Sequence, residues 1–161
     1  MFLEAIFLTQ AAGQPMIRVR EVQALAGRGL EGDRYTLGTG YYSRRDPCQL
    51  TLIEGEALDL ITVGFGLRVK NGEHRRNLVT RGIRLRELEG KRLRVGEVLL
   101  EFERPRPPCG YMERITQPGM TRALGEGSGI GVRVLTSGLL HEGAAIVVEA
   151  IEGARAPRVL P

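Results

Sequence analysis

A cysteine that follows two prolines is the first residue here with evident chemistry. In Arg104-Pro105-Arg106-Pro107-Pro108-Cys109-Gly110 the ring-locked φ of each proline stiffens the approach, and the run suits neither a central strand nor a helix interior. Residues 110–115 then read as a short helix. A cysteine at that helix start faces unpaired amides and the positive end of the dipole, with Arg106 and Arg114 close in sequence. All of these favour a nucleophilic thiolate. Cys48, in Pro47-Cys48-Gln49-Leu50-Thr51-Leu52-Ile53, heads an apolar strand instead, where burial disfavours the charged form. Two cysteines are too few for a disulfide scaffold and lack the close spacing of a zinc site. Cys109 is the expected reactive thiol and Cys48 the bystander.

The second chemical segment is His74-Arg75-Arg76-Asn77-Leu78-Val79-Thr80-Arg81-Gly82. Arginine presents forked donors suited to phosphate or carboxylate, and Asn77 can both donate and accept. A charge run ordinarily forms a solvated face. Leu78 and Val79 draw part of this one into the core, which would fix at least one arginine and make a small anion a plausible ligand. A third segment, Gly27-x-Gly29-x-x-Gly32-Asp33-Arg34, matches the dinucleotide fingerprint literally. It lacks the required context, because no apolar helical stripe follows. The better account is a tight turn that places Asp33 and Arg34, a pair that can brace one another. His74 and His141 are far apart and make no metal site by themselves. No serine-histidine-aspartate arrangement is visible.

The elements that must position these residues are mostly strands. Alternation and turn residues predict strands over 3–8, 18–25 and 49–53, a helix over 54–61, and a hairpin over 92–102 turning at Gly96-Glu97. Residues 35–46, with glycines, tyrosines and Arg44-Arg45, read as a mobile surface loop. Short helices over 110–115 and 121–124 are broken at Pro118-Gly119. Closing strands follow over 131–135 and 144–149, joined by a turn through His141-Glu142-Gly143. Many short strands with 22 glycines, 8 prolines and no tryptophan predict a mainly β fold, a compact β-barrel with a few short helices.

At 161 residues and 42% hydrophobic, the chain fits a single globular domain over 1–152 with a loose tail over 153–161. The apolar start, Met1-Phe2-Leu3-Glu4-Ala5-Ile6-Phe7-Leu8, lacks a basic region and reads as a first strand rather than a signal peptide. No apolar run reaches membrane-spanning length, so no membrane partner is expected and the cytoplasm is the expected compartment. The net charge of +4 leaves polyanions open as ligands through the arginine segment. The low aromatic content, 5%, argues against the base-stacking platforms of nucleic-acid binders.

Taken in order, several motifs resemble the MOSC domain family, named for the C-terminal domain of molybdenum-cofactor sulfurases. They are Gly29-Leu30-Glu31-Gly32-Asp33-Arg34, Leu52-Ile53-Glu54 with Glu56, Arg76-Asn77-Leu78 with Gly82, Leu88-x-Gly90, Val95-Gly96 and Pro108-Cys109. The resemblance spans about residues 7–149. It implies a β-barrel with one reactive cysteine, linked to sulfur carriage as a persulfide for metal–sulfur centres. In other relatives the equivalent cysteine ligates molybdenum in the pterin cofactor, and a soft thiolate suits either role. By resemblance, Cys109 would be the sulfur carrier or metal ligand, and Arg34, Arg76 and Asn77 would line its pocket and hold the cofactor's anionic part. The implied partners are a sulfur donor such as a cysteine desulfurase and a metal-enzyme acceptor. The leading expectation is a stand-alone sulfur-carrier or cofactor-binding module. A molybdenum-dependent reductase of N-hydroxylated compounds is the enzymatic alternative, and a polyanion binder the third. Gly110-Tyr111 after the cysteine, rather than an apolar pair, departs from the family pattern.

Overall fold

The computed structural model describes residues 1–152; the tail expected over 153–161 lies outside them. The strands are β1 (Phe2–Leu8), β2 (Ile17–Val19), β3 (Glu21–Leu25), β4 (Gly29–Leu30), β5 (Leu50–Glu54), β6 (Leu78–Arg81), β7 (Lys91–Val95), β8 (Val98–Pro105), β9 (Ile130–Thr136), β10 (Gly138–His141) and β11 (Ile146–Ala150). Eight of them form one sheet in the order β11-β7-β8-β9-β5-β6-β1-β2, and β10-β3-β4 form a second. Neighbours are antiparallel except β5 and β6, which run parallel. A parallel pair needs a crossover, and an α-helix at Gly55–Phe65 begins it.

The large sheet curls strongly into a half-barrel. Phe2 bridges Ala145, the Leu3 amide donates to the Ala144 carbonyl at 2.9 Å, and the Ile146 amide donates to the Met1 carbonyl at 3.1 Å. The start of β1 is thereby tied to the approach of β11. The mainly β, barrel-like fold with few short helices is as expected.

Two hydrophobic clusters explain why β1, β5 and β6 read as nearly continuous apolar runs. Leu3, Ile6, Leu52 and Leu78 enter the barrel interior with Leu93, Leu100 and Val132. Ala5, Phe7, Ile53 and Val79 face outward, into a second cluster with Leu58, Ile61, Met112 and Met120. Strands covered on both faces lose the polar half of the alternation. A register shift in β1 between Leu3 and Ala5 accounts for the three-residue spacing of Leu3 and Ile6 on one face, since a bulge adds an unpaired residue.

Several expected boundaries differ. The strand expected over 18–25 is two strands that part at Arg20, because β3 leaves to pair with β10 and β4. The closing turn contains a strand of its own, β10, whose partner lies far back in sequence. The helix expected over 54–61 runs on to Phe65. β8 lies inside the sheet and still includes Arg104 and Pro105. Its β7 partner ends opposite Glu101, so Pro105 pairs with β9 alone and needs no ladder donor on its free side.

Candidate functional site: a cysteine in an arginine- and tyrosine-lined cleft

The strap that leaves β8 carries the reactive-residue candidate. Arg106 donates its amide to the Gly129 carbonyl at 2.9 Å, Pro107-Pro108 follow, and Cys109 caps a helix at Gly110–Ile115 with extended backbone (φ −135°, ψ 161°). That helix is pinned from below by buried Met112. It is tied to the next helix, Met120–Leu124, because the Glu113 carboxylate accepts from the Gly119 and Thr121 amides at 3.2 and 2.9 Å. Cys109 is half-buried and opens on a cleft of about 380 Å³.

Among the described residues, five arginines line this cleft, Arg34, Arg75, Arg76, Arg104 and Arg106, against one carboxylate, Asp46. Arg76 is the deepest, 5% exposed. Its Nε and Nη2 donate to the Ser128 carbonyl at 2.7 Å, the Ser128 hydroxyl at 2.8 Å and the Arg106 carbonyl at 3.0 Å. None of these partners is an anion. Burial pulls its pKa down to about 10, so the guanidinium stays charged at neutral pH. Gly129, next to Ser128, is required for a close approach of strands: its φ is +96°, and a Cβ there would lie 2.0 Å from the Leu52 carbonyl oxygen.

Arg34 is also buried. It begins a single helical turn, Arg34–Leu37, capped by Asp33, whose carboxylate accepts from the Tyr35 amide at 3.2 Å and the Thr9 amide at 3.1 Å. The expected brace exists, with Arg34 Nη1 lying 3.3 Å from Asp33 Oδ1. Arg34 Nη2 donates to the Arg75 carbonyl at 3.0 Å, and the guanidinium stacks 4.3 Å above the Tyr35 ring. The glycine-rich segment does open a helix, contrary to expectation, but one of four residues and not in a parallel βαβ unit. Gly29 is required for a close approach: a Cβ there would lie 2.2 Å from the Gln49 carbonyl oxygen.

Asp46 reaches Arg106 at 2.8 Å and also bridges Arg104, joining the 38–49 loop to the strap. The same loop supplies aromatic residues. Tyr41 stacks on Tyr111 with ring centroids 3.8 Å apart, and Tyr42 stands edge-on to Tyr41 at 4.8 Å. With Tyr35, all four tyrosines of the chain face the cleft. The tyrosines of this segment were read as marks of a mobile surface loop and given no place in the site. Their concentration in 35–42, and Tyr111 two residues after Cys109, was the available signal.

The structure brings Cys109, Arg34 and Arg76 to one cleft and leaves Asn77 out of its lining. Asn77 is fully buried. It accepts from the Thr51 amide and hydroxyl at 3.2 and 3.0 Å and donates to the Phe7 carbonyl at 3.1 Å. Its side chain locks β1, β5 and β6 together inside the core, away from the cleft lining. Cys48 lies beneath the cleft, 7% exposed, with its thiol donating to the Leu50 carbonyl at 3.5 Å; burial pushes that thiol's pKa up. His74 is fully buried edge-on to Phe7. Its Nδ1 accepts from the Arg76 amide at 3.0 Å, while Nε2 has no partner. Burial first, then Arg76, Arg75 and Arg34, push its pKa down to about 3.

Curled barrel, proline strap and cleft together define a small, mainly β, barrel-like protein with a half-buried thiol in an arginine-lined cleft. The MOSC domain family profile matches residues 39–147, and the chain belongs to that family. Among solved structures, the YuaD protein from Bacillus subtilis shares 18% identity with a TM-score of 0.76, over 94% of this chain and 96% of that one. YiiM from Escherichia coli shares 20% at 0.66, over 94% and 71%. YiiM from Geobacillus stearothermophilus shares 18% at 0.66, over 91% and 74%. At these identities the likeness is one of fold. Comparison with curated proteins returns no match.

Proposed function

We propose that this MOSC domain works through the Cys109 sulfur, as a sulfur carrier or as a ligand to the molybdenum-pterin cofactor, with the cleft arginines holding the anionic part of whatever binds. The observation that carries the reading is the placement of a half-buried thiol in a cleft with five arginines and one carboxylate. Such an excess of fixed cations favours an anion beside sulfur and stabilises negative charge that develops there.

For sulfur carriage, the Cys109 thiolate attacks the outer sulfur of a donor persulfide. A new S–S bond forms at Cys109, the donor's S–S bond breaks, and the donor leaves as a thiolate. No external oxidant is needed. An acceptor thiolate would take the outer sulfur by the same step in reverse. The pterin cofactor also suits the residues present. It brings its own sulfur ligands, so one soft thiolate suffices, and Arg34 and Arg76 in the cleft lining would meet its phosphate. When bound, the cofactor would supply a molybdenum centre for atom transfer at Cys109.

Intact mass spectrometry tests the carrier reading on the Cys48→Ser variant, treated with a persulfide donor and kept free of reductant. A gain of about 32 Da, one sulfur resolved from two oxygens, should map to Cys109. Failure of Cys109 to take up sulfur from any persulfide donor, with a normal melting temperature, would remove the carrier reading. Molybdenum retained after gentle purification would favour the cofactor reading instead.

A further inference from the structure

Residues 40–46 lie against the cysteine helix without being tied there by their backbone. Among the described residues, the backbone–backbone hydrogen bonds of this segment all stay inside it. The Ser43 amide donates to the Gly40 carbonyl at 3.2 Å, and the Arg45 and Asp46 amides donate to the Tyr42 carbonyl at 3.0 and 2.9 Å. The Gly40 amide is closed on the Ser43 hydroxyl at 2.9 Å. The flanks, by contrast, are anchored. The Thr39 amide donates to the Arg34 carbonyl and the Thr39 carbonyl accepts from the Ala12 amide, both at 3.0 Å, and Cys48 beyond Pro47 is buried. A self-contained turn between two fixed ends can move as one body, with the change in dihedrals absorbed by the few residues that flank it.

Side chains hold this turn down. Tyr41 stacks on Tyr111 with ring planes 10° apart, Tyr42 stands edge-on to Tyr111 at 6.5 Å, and Asp46 bridges Arg104 and Arg106. The bridges are partly exposed and contribute little, so the stacked rings are the stronger fastening. Tyr111 belongs to the helix that Cys109 caps, which joins the loop to the reactive residue's own element. Tyr41 is still 50% exposed; parting the rings costs only the stacked face.

The loop's position bears on what reaches the sulfur. Cys109 is half-buried and shares with Tyr41, Tyr42 and Tyr111 the lining of a cleft of about 380 Å³, the scale of a small-molecule site. A small persulfide or thiol fits that space. A sulfur carried on a protein brings its neighbours with it and needs a wider mouth.

We infer that residues 40–46 form a hinged lid, latched by the Tyr41–Tyr111 stack, which must lift before a sulfur partner larger than the cleft can reach Cys109. This deepens the proposed reading and rests on it. The two tyrosines set the size of partner that the thiol meets: small persulfides pass under the closed lid, and a protein-borne persulfide is admitted only in the open state.

The test uses the full chain in a Cys48→Ser background and two reagents of one chemistry, N-ethylmaleimide and a maleimide carried on a polyethylene glycol chain. Each rate at Cys109 is divided by the reagent's rate with free cysteine, and the bulky-to-small ratio cancels any change in the thiol's own reactivity. In the parent the bulky reagent should lag by about tenfold or more, since it reacts only with the open fraction. Tyr41→Ala and Tyr111→Ala should each raise the ratio roughly two- to tenfold, the range set by loss of an aromatic pair. The double variant should gain no more than the better single one, because both remove the same contact. Melting temperatures close to the parent's should accompany these changes; Tyr41→Leu, which keeps bulk but cannot stack, replaces any alanine variant that does not fold. A parent ratio near one overturns the inference alone, as does a ratio that neither variant moves or single effects that add in the double variant. A parent whose Cys109 does not react even with N-ethylmaleimide overturns the reactive-thiol reading and this inference together.

Discussion

The Tyr42 hydroxyl rests against the Cys109 thiol, and the phenol's pKa is pushed up to about 12, first by that contact and then by burial. Tyr42 therefore stays protonated at any pH where the protein would work, and it is a hydrogen-bond donor available to sulfur. Tyr41 braces its ring edge-on, and Tyr41 is itself stacked on the helix that Cys109 begins.

Removal of that hydroxyl should change thiol chemistry with little change in packing. In a Cys48→Ser background, Tyr42→Phe should slow the alkylation of Cys109. The rate at neutral pH should fall roughly two- to tenfold, the range expected for loss of one hydrogen bond to a charged acceptor. Superimposable profiles for the two proteins would show that the hydroxyl does nothing for the sulfur.

His74 makes stability depend on pH. Its folded pKa, about 3, lies below its ordinary value of 6.5, so the folded protein keeps it neutral while the unfolded chain takes up a proton. The contribution is complete above 6.5 and drains as pH falls toward the folded value. Urea unfolding between pH 7 and 5 should show stability falling with a slope approaching about 1.4 kcal/mol per unit. His74→Phe should flatten that slope even if it lowers stability overall through the unpaired Arg76 amide. An unchanged slope would mean that His74 titrates normally in the fold.

Asp46 is the cleft's own anion. It occupies Arg104 and Arg106, and about 40% of its side chain is exposed, so the bridges add little to stability. Asp46→Asn should tighten phosphate binding by roughly two- to tenfold, since it removes the carboxylate that competes for Arg104 and Arg106. Its effect on the melting temperature should be small. Weaker phosphate binding in this variant would mean that Asp46 aims the arginines rather than competing for them.

What the sequence disclosed depended on how local the cause was. The proline strap, the helix after Cys109 and the hairpin through Gly96 are set by residues within a few positions, and all were legible. Asn77 misled because its polar side chain resembles a ligand contact, and only the tertiary approach of Thr51 and Phe7 shows it engaged inside the core. Arg75 was passed over because the left-handed backbone that carries it, with φ +61°, has no sequence signature. The tyrosines of the 38–49 loop were hidden by their surroundings: glycines and charges indicate a loop, but not the face on which its rings lie. β10 was missed because its partner, β3, lies more than a hundred residues earlier in the chain.

The separation of the two core clusters bears on how such a protein can diverge. No residue of the barrel-interior cluster lines the cleft; contact with the cleft comes through Met112 and Cys109, which belong to the outer cluster beside the helices. A lineage can therefore exchange loop tyrosines, strap residues or cleft cations without repacking the barrel. Retention of the same backbone course at 18–20% identity in YuaD and YiiM is what such a division permits: a slowly drifting frame that carries a chemical surface free to evolve at its own pace.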